Sequence, residues 1–195
     1  MQLRNTDIAW GTVSMLLHWL VVLLVLVAAT LGLVMDEMPN SMTKLRVFAL
    51  HKSLGITVLA LMLLRLAWRL LGGRPAALPM ARWQAFSASV THWLLYAVLL
   101  AMPLSGWLYN SASNFPLQWF GLFNLPALVE RDRDIREWAH DAHETLFWVI
   151  VALVALHAAA ALWHHLVLRD ATLERMLPSY LRRRRGSDDA ADGTP

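Results

Sequence analysis

The most constraining feature of this sequence is a series of long stretches without a charged residue. No Lys, Arg, Asp or Glu occurs in residues 8–35, 53–64, 83–129 or 145–168. A helix needs about 20 apolar residues to cross the roughly 30 Å hydrocarbon core of a bilayer. Charged residues make up only 16% of the chain, whereas about 25% is typical of soluble domains. The sequence therefore predicts an integral membrane protein.

The apolar stretches predict an all-α fold, a bundle of four transmembrane helices near residues 13–35, 47–71, 86–110 and 143–168. The second helix continues past Arg65, because the residues up to Leu71 remain largely apolar. The first helix is expected to be retained, since its apolar run exceeds the 7–15 residues of a signal-peptide core. The bundle is predicted to occupy residues 1–178 as one domain.

The third uncharged stretch is too long for a single helix, and its second half is predicted to be an irregular loop. Residues 111–129 include helix-breaking and turn-forming side chains, namely Asn114, Pro116, Asn124 and Pro126. The same segment is rich in aromatic residues, which suit the membrane–water interface; they are Phe115, Trp119, Phe120 and Phe123.

The distribution of Lys and Arg predicts that both termini lie in the cytoplasm. With the N-terminus inside, eleven basic residues fall on the inner side: Arg4, Arg65, Arg69, Arg74, Arg82, Arg169, Arg175 and residues 182–185. Six fall on the outer side: Lys44, Arg46, Lys52, Arg131, Arg133 and Arg136. The net charge of +3 is therefore explained by the membrane topology and does not indicate a nucleic-acid partner. Residues 179–195 are expected to form a basic, lipid-binding and then disordered tail.

Histidines within the predicted helices are the candidates for chemistry, because ionisable side chains at membrane depth are costly and usually functional. The chain contains no cysteine, which excludes covalent haem attachment through C-x-x-C-H and thiolate iron–sulfur ligation. Non-covalent ligation by imidazole remains. Eight histidines are available: His18, His51, His92, His140, His143, His157, His164 and His165.

Four of these histidines form two pairs at matching depths. His143 and His157 are fourteen residues apart on the fourth helix, which places them about 21 Å apart along the axis and within about 40° of the same face. His51 lies near the outer face, where it can approach His143. His18 lies near the inner face, where it can approach His157. Two paired imidazoles at two depths predict a di-haem b site for electron transfer, because such a haem iron has no open coordination position.

A cation and a glycine support this arrangement. Arg65 lies fourteen residues after His51, at the depth of His157, where it is expected to bind a haem propionate. The alternative is that Arg65 and Arg69 extend their side chains to the inner headgroups. Arg46 or Lys52 are candidates for propionate binding at the outer haem. Gly55 lies one turn after His51, where the missing side chain would make room for a flat macrocycle.

Other histidines admit more than one interpretation. His92 is an interfacial polar residue, a quinone contact or a competitor for the inner haem. His140 is interpreted as a solvated residue at the start of the fourth helix. His164 and His165 either interact with the dipole at the helix C-terminus or serve a quinone or proton-transfer role. Ser14 is an alternative partner for His18.

Several motifs resemble the bacterial cytochrome b561 family in identity, order and spacing. They are His18–Trp19, His51 with Gly55, the His-Glu-Thr-Leu stretch at 143–146, the His-Ala-Ala-Ala-Ala-Leu stretch at 157–162 followed by His164–His165, and Met-Pro-Leu at 102–104. The similarity runs from the first helix to Pro178. The run around Arg131–Arg136 and His140 is not part of the pattern.

The resemblance implies a four-helix protein of the bacterial inner membrane with two b haems. Carried over, His18 and His157 ligate the inner haem and His51 and His143 the outer haem. Members of the family exchange electrons with the ubiquinone pool, and some oxidise superoxide at the outer face. A quinone site near the inner haem would involve His164 and a cation of the inner loop, here Arg74.

Three functions compete at this stage. The first is an oxidoreductase that passes electrons from superoxide to ubiquinone. The second is a membrane anchor that accepts electrons from a soluble dehydrogenase or hydrogenase partner, for which residues 111–141 would have to supply part of a docking surface of about 1,000 Å². The third, a haem or metal transporter, would need an open pathway, and paired ligands argue against it.

Overall fold

The computed structural model describes residues 2–6, 9–73, 75–76 and 79–177. Its four long helices are α1 (Thr12–Glu37), α2 (Met42–Leu71), α3 (Arg82–Ala112) and α4 (Arg133–Leu166), followed by a short 3₁₀ turn at Glu174–Met176. Each long helix is apolar and long enough to cross a membrane. The predicted all-α membrane fold is confirmed. The predicted tail at 179–195 and the domain boundary at 178 lie outside the described residues.

α2, α3 and α4 begin five, four and ten residues earlier than hydropathy predicts, because the first turn of each contains charged residues. α4 begins at Arg133, ten residues before the predicted start, where the Asp132 carboxylate accepts a hydrogen bond from the Ile135 amide at 2.8 Å. An ion pair of 2.9 Å between Arg133 and Glu137 supports the first turn. α2 begins at Met42, and the Ser41 hydroxyl accepts a hydrogen bond from the amide of Lys44, three positions on. Hydropathy finds only the apolar part of a helix that extends beyond the bilayer.

The segment predicted as an irregular loop contains a β-hairpin. Strand β1 (Leu117–Trp119) pairs antiparallel with β2 (Phe123–Leu125), with Trp119 opposite Phe123. The amide of Leu122 donates to the Trp119 carbonyl at 2.9 Å. Phe120 and Gly121 have φ values of 47° and 73°, and positive φ at both central residues is what a type I′ turn requires. Hydrogen bonds from the hairpin to Ser53 and Thr57 of α2 hold this aromatic segment in place.

The helices pack in chain order, α1 on α2, α2 on α3 and α3 on α4. Side chains from all four helices form the central core: Val21, Val58, Met62, Tyr96, Leu99 and Ile150. Many large apolar side chains face outward instead, among them Leu23, Leu26, Leu63 and Trp148. This outward apolar belt is what a bilayer-spanning bundle requires. The backbone of α4 does not pack closely against α1 or α2, which leaves room between them.

Two ends of the bundle are distinguished below. The hairpin end carries the α1–α2 turn and the α3–α4 connection with its hairpin. The terminal end carries the first residues of α1 and the segment that follows α4. There the carbonyl of Met176 accepts a hydrogen bond from the Trp19 indole at 2.8 Å, and Arg175 donates to the Ala76 carbonyl at 2.8 Å. These contacts tie the segment after α4 to α1 and to the α2–α3 connection.

Candidate cofactor site between the helices

At the hairpin end, α2 and α4 bring His51 and His143 together. Their ring centroids are 6.2 Å apart with an angle of 75° between the ring planes. Both side chains are half-buried. The structure thus brings together the two residues that the sequence analysis paired near the outer face.

Backbone carbonyls determine which nitrogen of each imidazole is free. Nδ1 of His51 donates to the Ala28 carbonyl at 2.9 Å, and Nδ1 of His143 donates to the Met102 carbonyl at 3.1 Å. A carbonyl oxygen only accepts, so Nδ1 carries the proton and Nε2 keeps its lone pair in the neutral ring. Ser105 Oγ, 3.1 Å from Nδ1 of His143, adds a second contact. Metal-ligating histidines generally show this pattern.

Two glycines give these imidazoles their space. A Cβ on Gly106 would lie 3.0 Å from Cε1 of His143, and one on Gly32 would lie 3.3 Å from Cε1 of His51. Glycine therefore allows α3 and α1 to approach the rings closely. Gly55, which the sequence analysis singled out, is different: a Cβ there would meet no heavy atom within 4 Å.

At the terminal end, α1 and α4 bring His18 and His157 together, with 6.3 Å between ring centroids. Nδ1 of His18 is buried without a hydrogen-bond partner. Ser14 is not that partner, because its hydroxyl donates to Asn5 at 2.7 Å and accepts from the Trp68 indole at 3.2 Å. This pair therefore lacks the backbone anchors that hold the other one.

His92 on α3 also lies near the terminal-end pair. Its ring centroid is 5.3 Å from that of His157. A metal bound between two imidazoles requires about 2 Å to each nitrogen and roughly 1 Å more to each ring centre, or about 6 Å between centroids. The separations of 6.2 and 6.3 Å meet this requirement, while the distance to His92 is shorter. The two predicted pairs thus fit an iron held by two imidazoles.

Two arginines of α2 contact the same aromatic ring, and one of them lies beside the terminal-end pair. Arg65 is half-buried and within electrostatic range of both His18 and His157. Its guanidinium carbon is 5.7 Å from the ring centroid of Tyr96, and that of Arg69 is 5.3 Å from the same centroid. No acidic residue occurs in the sequence between Glu37 and Glu130. Within α2 and α3 these cations therefore have aromatic partners and no carboxylate.

His164 closes α4 in contact with an acid that the sequence analysis missed. Its Nδ1 lies 2.5 Å from Oδ2 of Asp170, and the Thr172 amide donates to the other oxygen at 2.8 Å. Partial burial raises the pKa of the Asp170 carboxyl, but the hydrogen bonds from His164 and Thr172 outweigh it and hold that pKa below its usual value. Arg74, the predicted companion of His164, lies outside the described residues.

His140 is exposed in the third turn of α4. Its ring lies 5.3 Å from that of Tyr109, and its Nδ1 is 3.6 Å from the Asp141 carboxylate. Together with Arg136 and Glu137 these residues line an open cleft of about 250 Å³. The solvated environment agrees with the interpretation of His140 from sequence, although the helix starts well before it.

The site also depends on residues that sequence reasoning passed over: Gly32, Ser105, Gly106, Asn110 and Asp170. Gly106 follows Pro103 by three positions on α3, and a small residue opposite a ligand is a signal that could have been used. Gly32, Ser105 and Asn110 contact residues of another helix, as Ser105 does with His143, and Asp170 meets His164 only because the chain reverses after α4. Periodicity within one helix does not report such contacts.

Comparison with known proteins agrees with the geometry. The sequence profile of the prokaryotic cytochrome b561 family matches residues 9–179. The chain is 32% identical to cytochrome b561 homolog 2 of Escherichia coli (strain K12), covering 91% of this chain and 95% of that protein. It is 34% identical to cytochrome b561 homolog 1 of the same organism, covering 83% and 93%. It is 33% identical to the probable superoxide oxidase CybB of Yersinia pestis, covering 83% and 92%.

Four membrane-spanning helices with imidazoles paired between them define a multi-pass membrane protein of the b-type cytochrome class. Within that class, the chain belongs to the prokaryotic cytochrome b561 family. Membership implies b-type haem binding and electron transfer in the membrane, as the sequence motifs predicted.

Proposed function

We propose that this protein passes electrons from superoxide at the hairpin end to ubiquinone, using two b-type haems. His51 and His143 would hold one haem, and His18 and His157 the other. The observation that carries the proposal is the pairing of imidazoles at two levels of one bundle, 6.2 and 6.3 Å apart. Each pair includes one histidine of α4. Two haems at these two levels would allow electrons to cross much of the bilayer in steps within one chain.

Each bound haem would supply a one-electron couple without an open coordination position, which suits electron transfer and not oxygen activation. The residues around the hairpin-end pair support that task by holding the rings still. The Ala28 and Met102 carbonyls fix both tautomers, so each Nε2 points its lone pair away from its anchor. Fixed ligands limit the rearrangement that accompanies a change of charge.

Arg65 is proposed to bind a haem propionate at the terminal-end site. A half-buried guanidinium without a carboxylate partner is costly in a membrane. Tyr96 contributes a cation–π contact to Arg65, which offsets only part of the desolvation. An anionic group of the cofactor would complete the compensation through charge-assisted hydrogen bonds.

The quinone is proposed to bind at the terminal end, near His164 and Arg74. His164 follows His157 by seven residues on α4, which places it about 10 Å further along and nearly on the same face. Reduction of a quinone to a quinol takes up protons. The Asp170 carboxylate, 2.5 Å from Nδ1 of His164, would orient this imidazole toward the quinone.

Superoxide is proposed as the donor because one relative is named a probable superoxide oxidase. Lys44, Arg46 and Lys52 lie at the hairpin end, on either side of His51 in sequence, and would attract an anion. The sequence-based count of Lys and Arg, eleven on the predicted inner side against six on the outer side, supports cytoplasmic termini. We therefore propose that the protein resides in the bacterial inner membrane with its hairpin end outside.

An anaerobic stopped-flow experiment tests this function. The purified holoprotein is mixed with superoxide, and haem absorbance is followed with and without a water-soluble ubiquinone. We expect rapid haem reduction by superoxide and reoxidation by the quinone. If superoxide leaves the haems oxidised while quinol reduces them, superoxide is not the donor and electrons flow in the opposite direction. Reduction only by a soluble dehydrogenase would support the membrane-anchor function instead.

A further inference from the structure

The β-hairpin is held against the middle of a transmembrane helix. The Trp119 indole donates to Oγ1 of Thr57 at 3.0 Å. Thr57 is fifteen residues from Met42 and fourteen from Leu71, the ends of α2. At about 1.5 Å per residue, it lies roughly 21 Å from either end, near the centre of the span. The Trp119 side chain therefore reaches along α2 toward the bilayer core.

Polar groups next to His51 fasten the hairpin in this position. Ser53 Oγ accepts from the Phe120 amide at 3.0 Å and lies 3.2 Å from the Gln118 carbonyl. Lys52 Nζ donates to the Asn110 side chain at 3.1 Å and to the Pro116 carbonyl at 3.2 Å. Adjacent residues of α2 thus bind both the start of the hairpin and its turn.

Two amides of the turn form hydrogen bonds, which lowers the cost of placing this segment within a bilayer. The Phe120 amide is bonded to Ser53 Oγ, and the Leu122 amide to the Trp119 carbonyl. In water a type I′ turn usually carries Asn-Gly or Asp-Gly, because both central residues need positive φ. Here Phe120 occupies the first central position with φ of 47°. An apolar side chain is present where a polar one would fit the backbone better.

The tip of the hairpin exposes apolar side chains. Leu122 is 73% exposed, Phe123 56% and Phe120 47%. No charged residue occurs from Phe115 to Val129. The exposed polar side chains on the strands are Gln118 and Asn124, which are cross-strand partners on the same face. One face and the tip are therefore apolar, and a polar pair occupies the other face.

We infer that the hairpin tip, Phe120–Phe123, is inserted among the acyl chains of the bilayer leaflet at the hairpin end. The contact of the Phe120 amide with Ser53 of α2, the contact of the Trp119 indole with Thr57 and the apolar side chains of the tip fit lipid better than water. A tip embedded in lipid is not available to a soluble protein. The inference does not depend on the proposed electron donor. It implies that the hairpin tip is not part of a docking surface for a redox partner.

Single-cysteine labelling tests the insertion cleanly because the chain has no cysteine. Leu122→Cys is labelled with an environment-sensitive fluorophore and reconstituted as holoprotein in phosphatidylcholine vesicles. Lipids carrying a nitroxide on the upper acyl chain should remove most of the emission, while aqueous iodide should remove little. Leu23→Cys, on the outward face of α1, is the control for lipid exposure, and Asp134→Cys, in the first turn of α4, is the control for water.

The inference is overturned if Leu122→Cys responds like Asp134→Cys, with quenching by iodide and not by the lipid nitroxide. Protection from both quenchers would also overturn it, since the tip would then be covered by protein, either a second copy of the chain or a partner. Phe123→Cys probes the same tip from the neighbouring strand. Should Leu122→Cys fail to accumulate, the result with Phe123→Cys decides in the same way.

Discussion

At the scale of single residues, hydrogen bonds to two carbonyls decide which imidazole nitrogen faces the space between the helices. His51 and His143 are anchored in this way, whereas His18 has a buried Nδ1 with no partner. The hairpin-end pair is therefore better organised before any cofactor binds. We expect its haem to bind more tightly than the haem at the terminal end.

Alanine substitution of the four proposed ligands should separate the two haems. His51→Ala or His143→Ala should remove one haem and spare the other, and His18→Ala or His157→Ala should remove the other one. Low-temperature absorbance spectra of the reduced variants distinguish the two. His92→Ala serves as the control and should keep both haems, because its ring is too close to His157 to share an iron with it. Loss of a haem in His92→Ala would show that the assignment of His18 is incorrect.

Gly106→Ala should also affect the hairpin-end haem, although residue 106 is no ligand. The added methyl group would lie 3.0 Å from Cε1 and 3.2 Å from Nδ1 of His143, so the ring must move away from the Met102 carbonyl. We expect the haem content to fall from two per chain toward one. Ala97→Val, which adds methyl groups to the exposed face of the same helix, should leave the content unchanged. An unaltered haem content in Gly106→Ala would argue against close packing of α3 on this ligand.

At the scale of elements, the Ser53 hydroxyl is one of the groups that hold the hairpin against α2. Ser53→Ala leaves the Phe120 amide without its acceptor and releases a turn in which Phe120 has positive φ. An unsatisfied buried group costs about 1–3 kcal/mol. We therefore expect the free energy of unfolding in mixed detergent micelles to fall by about that amount.

The control for this substitution is Thr30→Ala. The Thr30 hydroxyl donates only to the carbonyl one turn earlier in α1, at 2.9 Å, and its loss should change the unfolding free energy by less than about 0.5 kcal/mol. Equal effects of the two substitutions would mean that Ser53 contributes no more than an ordinary intrahelical hydroxyl.

The helices and the histidine pairing could be predicted from sequence because both follow from local rules. Uncharged stretches located the apolar part of each helix, and the fourteen-residue spacing of His143 and His157 placed two imidazoles on one face of α4. The start of α4 at Arg133 could not be found by hydropathy, because its first turns are polar and held by Asp132 and Glu137.

The hairpin and the contact between His164 and Asp170 could not be predicted either. The hairpin is fixed by bonds to Ser53 and Thr57, more than sixty positions away. Asp170 meets His164 only because the chain turns back after α4. Tertiary contacts, and not local preference, order both segments.

At the scale of the whole molecule, charge at the hairpin end bears on the donor. Lys52 is engaged with Asn110 and Pro116, so replacing it would disturb the hairpin as well as the field. Arg46→Gln changes the charge alone, since Arg46 is exposed. We expect reduction of the haems by superoxide to slow by about threefold, with a weaker dependence on salt. Arg82→Gln, at the opposite end, should not slow this reduction. If the rate of haem reduction depends equally on salt in the parent protein, Arg46→Gln and Arg82→Gln, the donor is neutral.

The central claim is that one chain holds two haems between two pairs of imidazoles, and the haem-to-protein ratio tests it most directly. The purified holoprotein is analysed by the pyridine haemochrome assay against protein determined by amino-acid analysis. The account predicts two non-covalent b haems per chain, with spectra of six-coordinate, low-spin iron. A ratio of one haem per chain, or a high-spin spectrum that shows an open coordination position, would contradict it.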